Sequence, residues 1–392
     1  MPLQAPTTLA IFCKVVDNFG DIGICWRLSR QMVREHGVAV TLWVDDLASF
    51  QRICPPLDTA AASQRVEGVQ VRHWADQDGV FAPADVADIV IEFFAVDIPP
   101  GYIEAMAQCQ PKPVWLNLEG LTAEEWVEGC HRLPSMHPRL PLTKHFFFPG
   151  FTGKTGGLLR EADLIEQRNG FLRDPATSAS FLSGLGVTPA EQEALKVSLF
   201  CYQHAPVSAL LDTWRDGDVA IACFVPEGVA TDSVAAFLGG PATAGAVRTQ
   251  GALTLRVLPF VPQPDYDRLL WSCDFNFVRG EDSFVRAQWA NKPFVWHIYP
   301  QDENLHHKKL RAFLASYCPD IASLADFSLR WNGARIDRRA RIDANEADLA
   351  ELWMALRHDL ELMTCHAADW EKRMLENGDL GANLLDFARS LR

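Results

Sequence analysis

Two aspartates stand four positions apart in the stretch Val15-Val16-Asp17-Asn18-Phe19-Gly20-Asp21-Ile22-Gly23, which follows an apolar run and leads into an amphipathic segment beginning Ile24-Cys25-Trp26. A carboxylate at a helix start serves as a cap and is favoured by the helix dipole, which is an ordinary structural use of Asp21. Two carboxylates in one tight loop do more than cap. They repel a nucleotide diphosphate and attract a cation, so the loop suits a positively charged acceptor. The glycines allow a tight path, but their order is not GxGxxG, and no dinucleotide fingerprint is present.

A second stretch has the opposite character. Arg279-Gly280-Glu281-Asp282-Ser283 follows an apolar run and precedes the helical pattern Phe284-Val285-Arg286-Ala287-Gln288-Trp289. A helix start offers N–H groups to phosphate, Ser283 adds a hydroxyl, and Arg279 adds a guanidinium that can clamp phosphate oxygens. An Asp/Ser cap beside a surface arginine is the plainer alternative. Glu281 does not suit a pure phosphate cradle and fits a carboxylate facing sugar hydroxyls or an acceptor cation. A third stretch, Leu258-Pro259-Phe260-Val261-Pro262-Gln263-Pro264-Asp265-Tyr266, offers a ring for base stacking and an amide for a pyrimidine edge. Phe200 and Tyr202 end another apolar run. Taken one at a time, each of these residues serves packing or turns as readily as binding.

Other patterns carry less. Gly153-Lys154-Thr155 resembles the end of a P-loop, but Phe148 stands where its first glycine is required. Asp76-Gln77-Asp78 and Asp216-Gly217-Asp218 have the DxD form in polar turn sequence. His306-His307 has no acidic or thiol partner at metal-ligand spacing, and no GxSxG elbow occurs. Metal-free chemistry is the expectation.

The elements that must position these loops follow from periodicity. Apolar, β-branched runs at Leu9–Val16, Val38–Val44, Val69–Trp74, Asp88–Phe94, Pro113–Leu118 and Leu142–Phe148 alternate with helical segments. A Gly-rich, then charged, stretch interrupts the rhythm after Pro149. A second series follows at Lys196–Tyr202, Val219–Val225, Ala252–Leu258, Asp274–Val278 and Pro293–Ile298. Alternation of this kind predicts parallel sheets with crossover helices, and ligands of such sheets sit beyond the strands' carboxyl ends. Two Rossmann-like, doubly wound α/β domains are expected, at 1–180 and 181–365, with a helical tail at 366–392 that crosses back to the first domain.

The chain has 392 residues, of which 48% are hydrophobic and 22% charged, more than one core usually supports. Its net charge of −14 and lack of a basic tract oppose binding to bare nucleic acid. Ten cysteines without a CxxC pair read as reduced thiols, which implies the cytoplasm. Neither an export signal nor a membrane span is expected.

The quoted loops, together with Trp115-Leu116-Asn117-Leu118-Glu119-Gly120-Leu121, Phe146-Phe147-Phe148-Pro149-Gly150-Phe151 and Phe277-Val278-Arg279-Gly280-Glu281-Asp282-Ser283-Phe284, resemble the bacterial protein-arginine rhamnosyltransferases (EarP family), which modify elongation factor P. The blocks run in order along essentially the whole chain, with no departure at the charged positions. The resemblance implies a GT-B fold, with the two domains facing a central cleft. It also implies inverting, metal-independent transfer of rhamnose from dTDP-β-L-rhamnose to an arginine of elongation factor P, which activates that factor for polyproline translation. The first domain would take the protein acceptor and the second the nucleotide sugar. By motif, Asp21 is implied as general base, Asp17 as its partner in orienting the guanidinium, and Glu281 as a further essential carboxylate. Tyr202, Phe260, Gln263, Arg279, Asp282 and Ser283 are implied to hold the donor, and Phe19 and Gly20 are expected to touch it. No cofactor is expected.

The chemistry is consistent with that implication. A guanidinium has a pKa above about 12 and is a poor nucleophile until it is oriented and a proton is removed. Carboxylates can do both. Two other readings remain open: a different GT-B enzyme, such as a sugar-nucleotide epimerase or small-molecule transferase, and a catalytically silent module that docks on a translation factor.

Overall fold

A computed structural model describes residues 7–17, 19–75, 79–336 and 348–392. Asn18 of the first loop and the first DxD sequence, Asp76-Gln77-Asp78, lie outside the described residues. The chain divides into two compact units, Met1–Ala162 with Met374–Arg392, and Asp163–Arg373. Among the described residues, no helix is long and apolar enough to cross a membrane.

The first unit is built on eight strands: β1 (Thr8–Cys13), β2 (Ala39–Val44), β3 (Ser63–Val66), β4 (Val69–His73), β5 (Ile89–Phe93), β6 (Val114–Leu118), β7 (Pro134–Met136) and β8 (Thr143–Phe147). Their order across the sheet is β3-β4-β2-β1-β5-β6-β8-β7. β1 pairs in parallel with β2 on one side and β5 on the other. The winding therefore reverses at β1, and the loop leaving β1 opens at the sheet's switch point, where open α/β sheets bind ligands. β1 through Cys13 is wholly apolar and buried apart from its first residue, as a strand covered on both faces requires.

The second unit carries β9 (Leu195–Leu199), β10 (Ile221–Pro226), β11 (Val247–Gln250), β12 (Leu253–Leu258), β13 (Phe275–Arg279) and β14 (Phe294–His297), ordered β11-β12-β10-β9-β13-β14. β9 lies between β10 and β13, parallel to both. Here the switch point falls between β9 and β13. The loops after those two strands hold Phe200–His204 and Gly280–Asp282.

Three strands absent from the sequence reading, β3, β7 and β11, are antiparallel edges. They are three or four residues long and largely polar or exposed, so no apolar run announces them. The first strand is also shorter than its apolar run: 14–16 belong to the loop, where Val15 N–H is held by Asp45 Oδ1 at 2.9 Å.

The unit boundaries differ from 180 and 365, and packing explains both differences. The helix Leu164–Arg173 belongs to the second unit, where Phe171 stacks edge-on against Trp271 at 5.7 Å and Arg168 donates to the Trp289 carbonyl at 2.7 Å. At the other end, Leu360–Glu376 is one helix. Its Trp370 donates to Gln288 Oε1 at 2.8 Å, inside the second unit. The chain returns to the first unit only beyond Arg373. There Leu380 N–H bonds the Leu158 carbonyl at 3.1 Å, and Gln31 Nε2 reaches Asp379 at 3.0 Å and the Arg160 carbonyl at 2.8 Å.

Candidate functional site

In the first unit the loop after β1 folds around a single carboxylate. Asp21, in the first turn of the helix Gly20–His36, accepts the backbone N–H groups of Val16 at 2.7 Å and Asp17 at 2.8 Å, both on Oδ2. The helix thus has an acid in its first turn that reaches back to the loop rather than capping forward; among the described residues no side chain caps this start. The Gly20 N–H bonds the Asp17 carbonyl at 2.7 Å, and a Cβ at Gly20 would meet Asp17 Oδ2 at 3.1 Å. A side chain there would push against the second aspartate. Asp17 is half-buried and Asp21 is 5% exposed.

Burial raises the Asp21 pKa, the two backbone N–H bonds oppose the shift, and the charges of Asp17 and Asp45 add to it. A carboxylate shifted upward is a stronger base than a solvated one. The same edge of the sheet carries another polar element. After β5, Phe94 and Ala95 adopt left-handed backbone, and the Ala95 N–H is accepted by Asn117 Oδ1 at 3.0 Å. Asn117 in turn donates from Nδ2 to Glu119 Oε1 at 2.6 Å, which fixes a third carboxylate at the end of β6.

In the second unit the loop after β13 turns at Gly280, whose φ of 62° lies in the left-handed region that glycine adopts without strain. The Trp296 indole N–H holds the Gly280 carbonyl at 2.7 Å. Arg279 is fixed from three sides. Its Nη1 donates to the Cys201 carbonyl at 3.1 Å, its backbone N–H to Ser283 Oγ at 3.0 Å, and its guanidinium carbon lies 4.3 Å from the Phe200 ring centroid and 4.9 Å from that of Tyr202. Stacked on aromatic faces, the planar cation is pre-oriented at little further entropic cost.

Gln263 opens the helix Gln263–Ser272, and Asp282 opens Asp282–Trp289. The two side chains meet, with Gln263 Nε2 donating to Asp282 Oδ2 at 3.3 Å. A buried pair sets the helices in register: Arg286 donates to Asp267 from Nε at 3.0 Å and from Nη2 at 2.7 Å. Bidentate geometry makes such a pair directional as well as strong. Among the described residues no side chain caps the start at Glu281.

The expected residues therefore fall into two groups. Asp17, Phe19, Gly20 and Asp21 come together in the first unit. Tyr202, Gln263, Arg279, Glu281, Asp282 and Ser283 come together in the second, with Phe260 between β12 and the helix that Gln263 opens. One assignment changes in detail. The Ser283 hydroxyl donates to the Arg279 carbonyl while accepting the Arg279 N–H, so it closes the turn that aims Arg279, and any phosphate contact would use its remaining lone pair.

Sequence reasoning missed His204 and His297, which join the same cluster through Tyr202: the Tyr202 N–H is accepted by His297 Nδ1 at 3.2 Å. A histidine at the end of an otherwise apolar strand was the available signal. The second DxD sequence is surface composition, since Asp216 pairs with Arg215 at 2.7 Å and Asp218 with Arg357 at 2.6 Å. All ten cysteines are free thiols, and Cys365 is the exposed one.

The family model for elongation factor P (EF-P) rhamnosyltransferase EarP matches residues 9–389. A protein-arginine rhamnosyltransferase of Pseudomonas putida is 49% identical over 386 residues, covering 98% of this chain and 99% of the relative. One from Shewanella oneidensis is 39% identical over 390 residues, covering 97% of each. Among solved structures, one described as the structural basis for EarP-mediated arginine glycosylation of translation elongation factor EF-P matches with a TM-score of 0.66 and 37% identity, covering 98% of this chain and 99% of that one. The glycotransferase of kitacinnamycin matches with a TM-score of 0.50 at 10% identity, a likeness of fold alone. The fold is GT-B, and the chain belongs to the EarP family of elongation factor P rhamnosyltransferases.

Proposed function

We propose that this protein transfers rhamnose from dTDP-β-L-rhamnose to a guanidinium nitrogen of one arginine of elongation factor P, with inversion at the sugar carbon and without a metal ion. The observation that carries this reading is a pair of switch-point loops of opposite chemistry: buried and half-buried aspartates in the first unit, and an aromatic-stacked arginine in the second. The activity of the family supports the reaction class.

In this reading the first unit takes the acceptor. Asp17 and Asp21 hold the acceptor guanidinium through charge-assisted bonds, Asp21 takes the proton as the C–N bond forms, and Glu281 is a further essential carboxylate of the reaction. Asp21 suits the role because Oδ2 is occupied by two backbone N–H groups, which leaves the proton to Oδ1. The second unit takes the donor, with Phe260 and Gln263 on the base and Tyr202, Arg279, Asp282 and Ser283 toward the ribose and diphosphate. Phe19 and Gly20 are further residues assigned to the donor. Negative charge grows on the departing diphosphate, where Arg279 and the helix start can meet it as fixed donors without reorganisation. One displacement on the face opposite the leaving group inverts the centre. The modified factor would then act in polyproline translation, which fits a cytoplasmic enzyme.

Product stereochemistry tests the mechanism. NMR of the modified arginine is expected to give an α-linked rhamnose from the β-configured donor, at a rate unchanged by excess chelator. A β-linked product, or activity lost to chelator and restored by a divalent cation, would contradict the single metal-free displacement.

A further inference from the structure

Two histidines of the second unit have no part in the mechanism above. His297 ends β14 and is fully buried, whereas His204 stands exposed in the loop after β9. Their Nε2 atoms are 2.9 Å apart. The direction of that bond follows from a third partner. The Tyr202 backbone N–H points at His297 Nδ1 at 3.2 Å, and a backbone amide can only donate. Nδ1 of His297 therefore carries a lone pair, and the neutral ring keeps its proton on Nε2. With His297 donating, His204 must accept at its own Nε2, and its proton sits on Nδ1.

This pattern is held, not incidental. Burial, with His204, Arg279 and His306 nearby, pushes the His297 pKa down to about 3, so that ring stays neutral across the working range. Burial also lowers the pKa of His204. A protonated His204 would turn an N–H toward the N–H of His297 and lose the bond.

Here the exposed ring is aligned with the donor cluster. Tyr202 stacks parallel to His204, with centroids 6.0 Å apart and planes 7° apart, and the guanidinium of Arg279 lies 4.9 Å from the same Tyr202 centroid. The row His204, Tyr202, Arg279 occupies the switch point of the second sheet.

We propose that His204 is a further donor-binding residue, giving its Nδ1–H to a diphosphate oxygen of the nucleotide sugar, and that His297 is a positioning residue that fixes the tautomer. The inference rests on the reading of the second unit as the donor side. His297 acts through the chain Tyr202 N–H to His297 to His204, which ties the orientation of the exposed N–H to the backbone of the loop. The N–H is presented without a charge that would have to be lost or gained as the diphosphate comes and goes.

Calorimetric titration of the full-length protein with dTDP and with thymidine tests this. For His204→Ala, dTDP affinity is expected to fall about tenfold, the usual size of a hydrogen bond to a charged group, with thymidine affinity unchanged. His204→Asn, whose amide Nδ2 takes nearly the place of the imidazole Nδ1, is expected to recover most of the loss. In 15N NMR of the unliganded wild type at neutral pH, His204 is expected as the Nδ1–H tautomer. Unchanged dTDP affinity in His204→Ala, equal losses for dTDP and thymidine, or a proton on Nε2 of His204 would overturn the proposal while leaving the donor reading intact. Failure of the wild type itself to bind dTDP would overturn the donor reading, and this inference with it.

Discussion

Asp21→Asn is expected to bind dTDP as the wild type does, within about twofold, and to lose turnover by about a thousandfold, within the range attributed to a general base. The asparagine carbonyl can still accept the Val16 and Asp17 N–H groups that organise the loop, so the change removes the proton acceptor and spares its surroundings. Stability separates this outcome from a folding defect. Burial raises the Asp21 pKa, so folding favours the neutral acid. Its contribution to stability is fully present below the unfolded pKa and is lost as pH rises through the folded one. At neutral pH the ionised aspartate costs stability, and Asp21→Asn is expected to melt at or above the wild-type temperature. The same shift sets the acid limb of kcat/KM, because Asp21 must be ionised to act as a base. That limb is expected above the ordinary aspartate value of 3.8. Loss of dTDP affinity in Asp21→Asn would instead place this carboxylate on the donor.

Arg279→Lys is expected to lower kcat/KM about a hundredfold, comparable to removal of one fixed donor from a developing anion. Charge is conserved in this variant, so the loss would come from geometry. A lysine ammonium cannot lie flat against Phe200 and Tyr202 or keep a guanidinium fork aimed while bonded to the Cys201 carbonyl. Thymidine affinity should be unchanged and dTDP affinity reduced, because the guanidinium is assigned to the diphosphate. Equal loss for both ligands would reveal a collapsed loop, and wild-type kinetics would remove Arg279 from the reaction.

Much of this arrangement was legible in the chain. Parallel strands covered by helices need long apolar runs, and those runs located the central strands of both sheets to within a few residues. The loops with chemistry follow β1, β9, β12 and β13, which is why Asp17, Asp21, Tyr202, Phe260 and Arg279 could be singled out from position and residue type. What escaped the sequence depends on partners far apart in it. Glu92 lies inside the apolar strand β5, where nothing local marks its bonds to Trp115 Nε1 at 3.2 Å and Lys144 Nζ at 2.5 Å. The edge strands β3, β7 and β11 have a neighbour on one side only and need no apolar run. Ser283 reads as a phosphate ligand from its place at a helix start, yet its hydroxyl bonds the backbone of Arg279. The His204–His297 pair joins residues 93 positions apart, a separation that no spacing rule detects.

Transfer to an arginine of elongation factor P is tested most directly by the intact mass of that factor. Incubated with this protein and dTDP-β-L-rhamnose, elongation factor P is expected to gain the mass of one deoxyhexose, and a form with its acceptor arginine replaced by lysine is expected to gain none. An unmodified wild-type factor, under conditions in which dTDP binding is measured, would contradict transfer to elongation factor P.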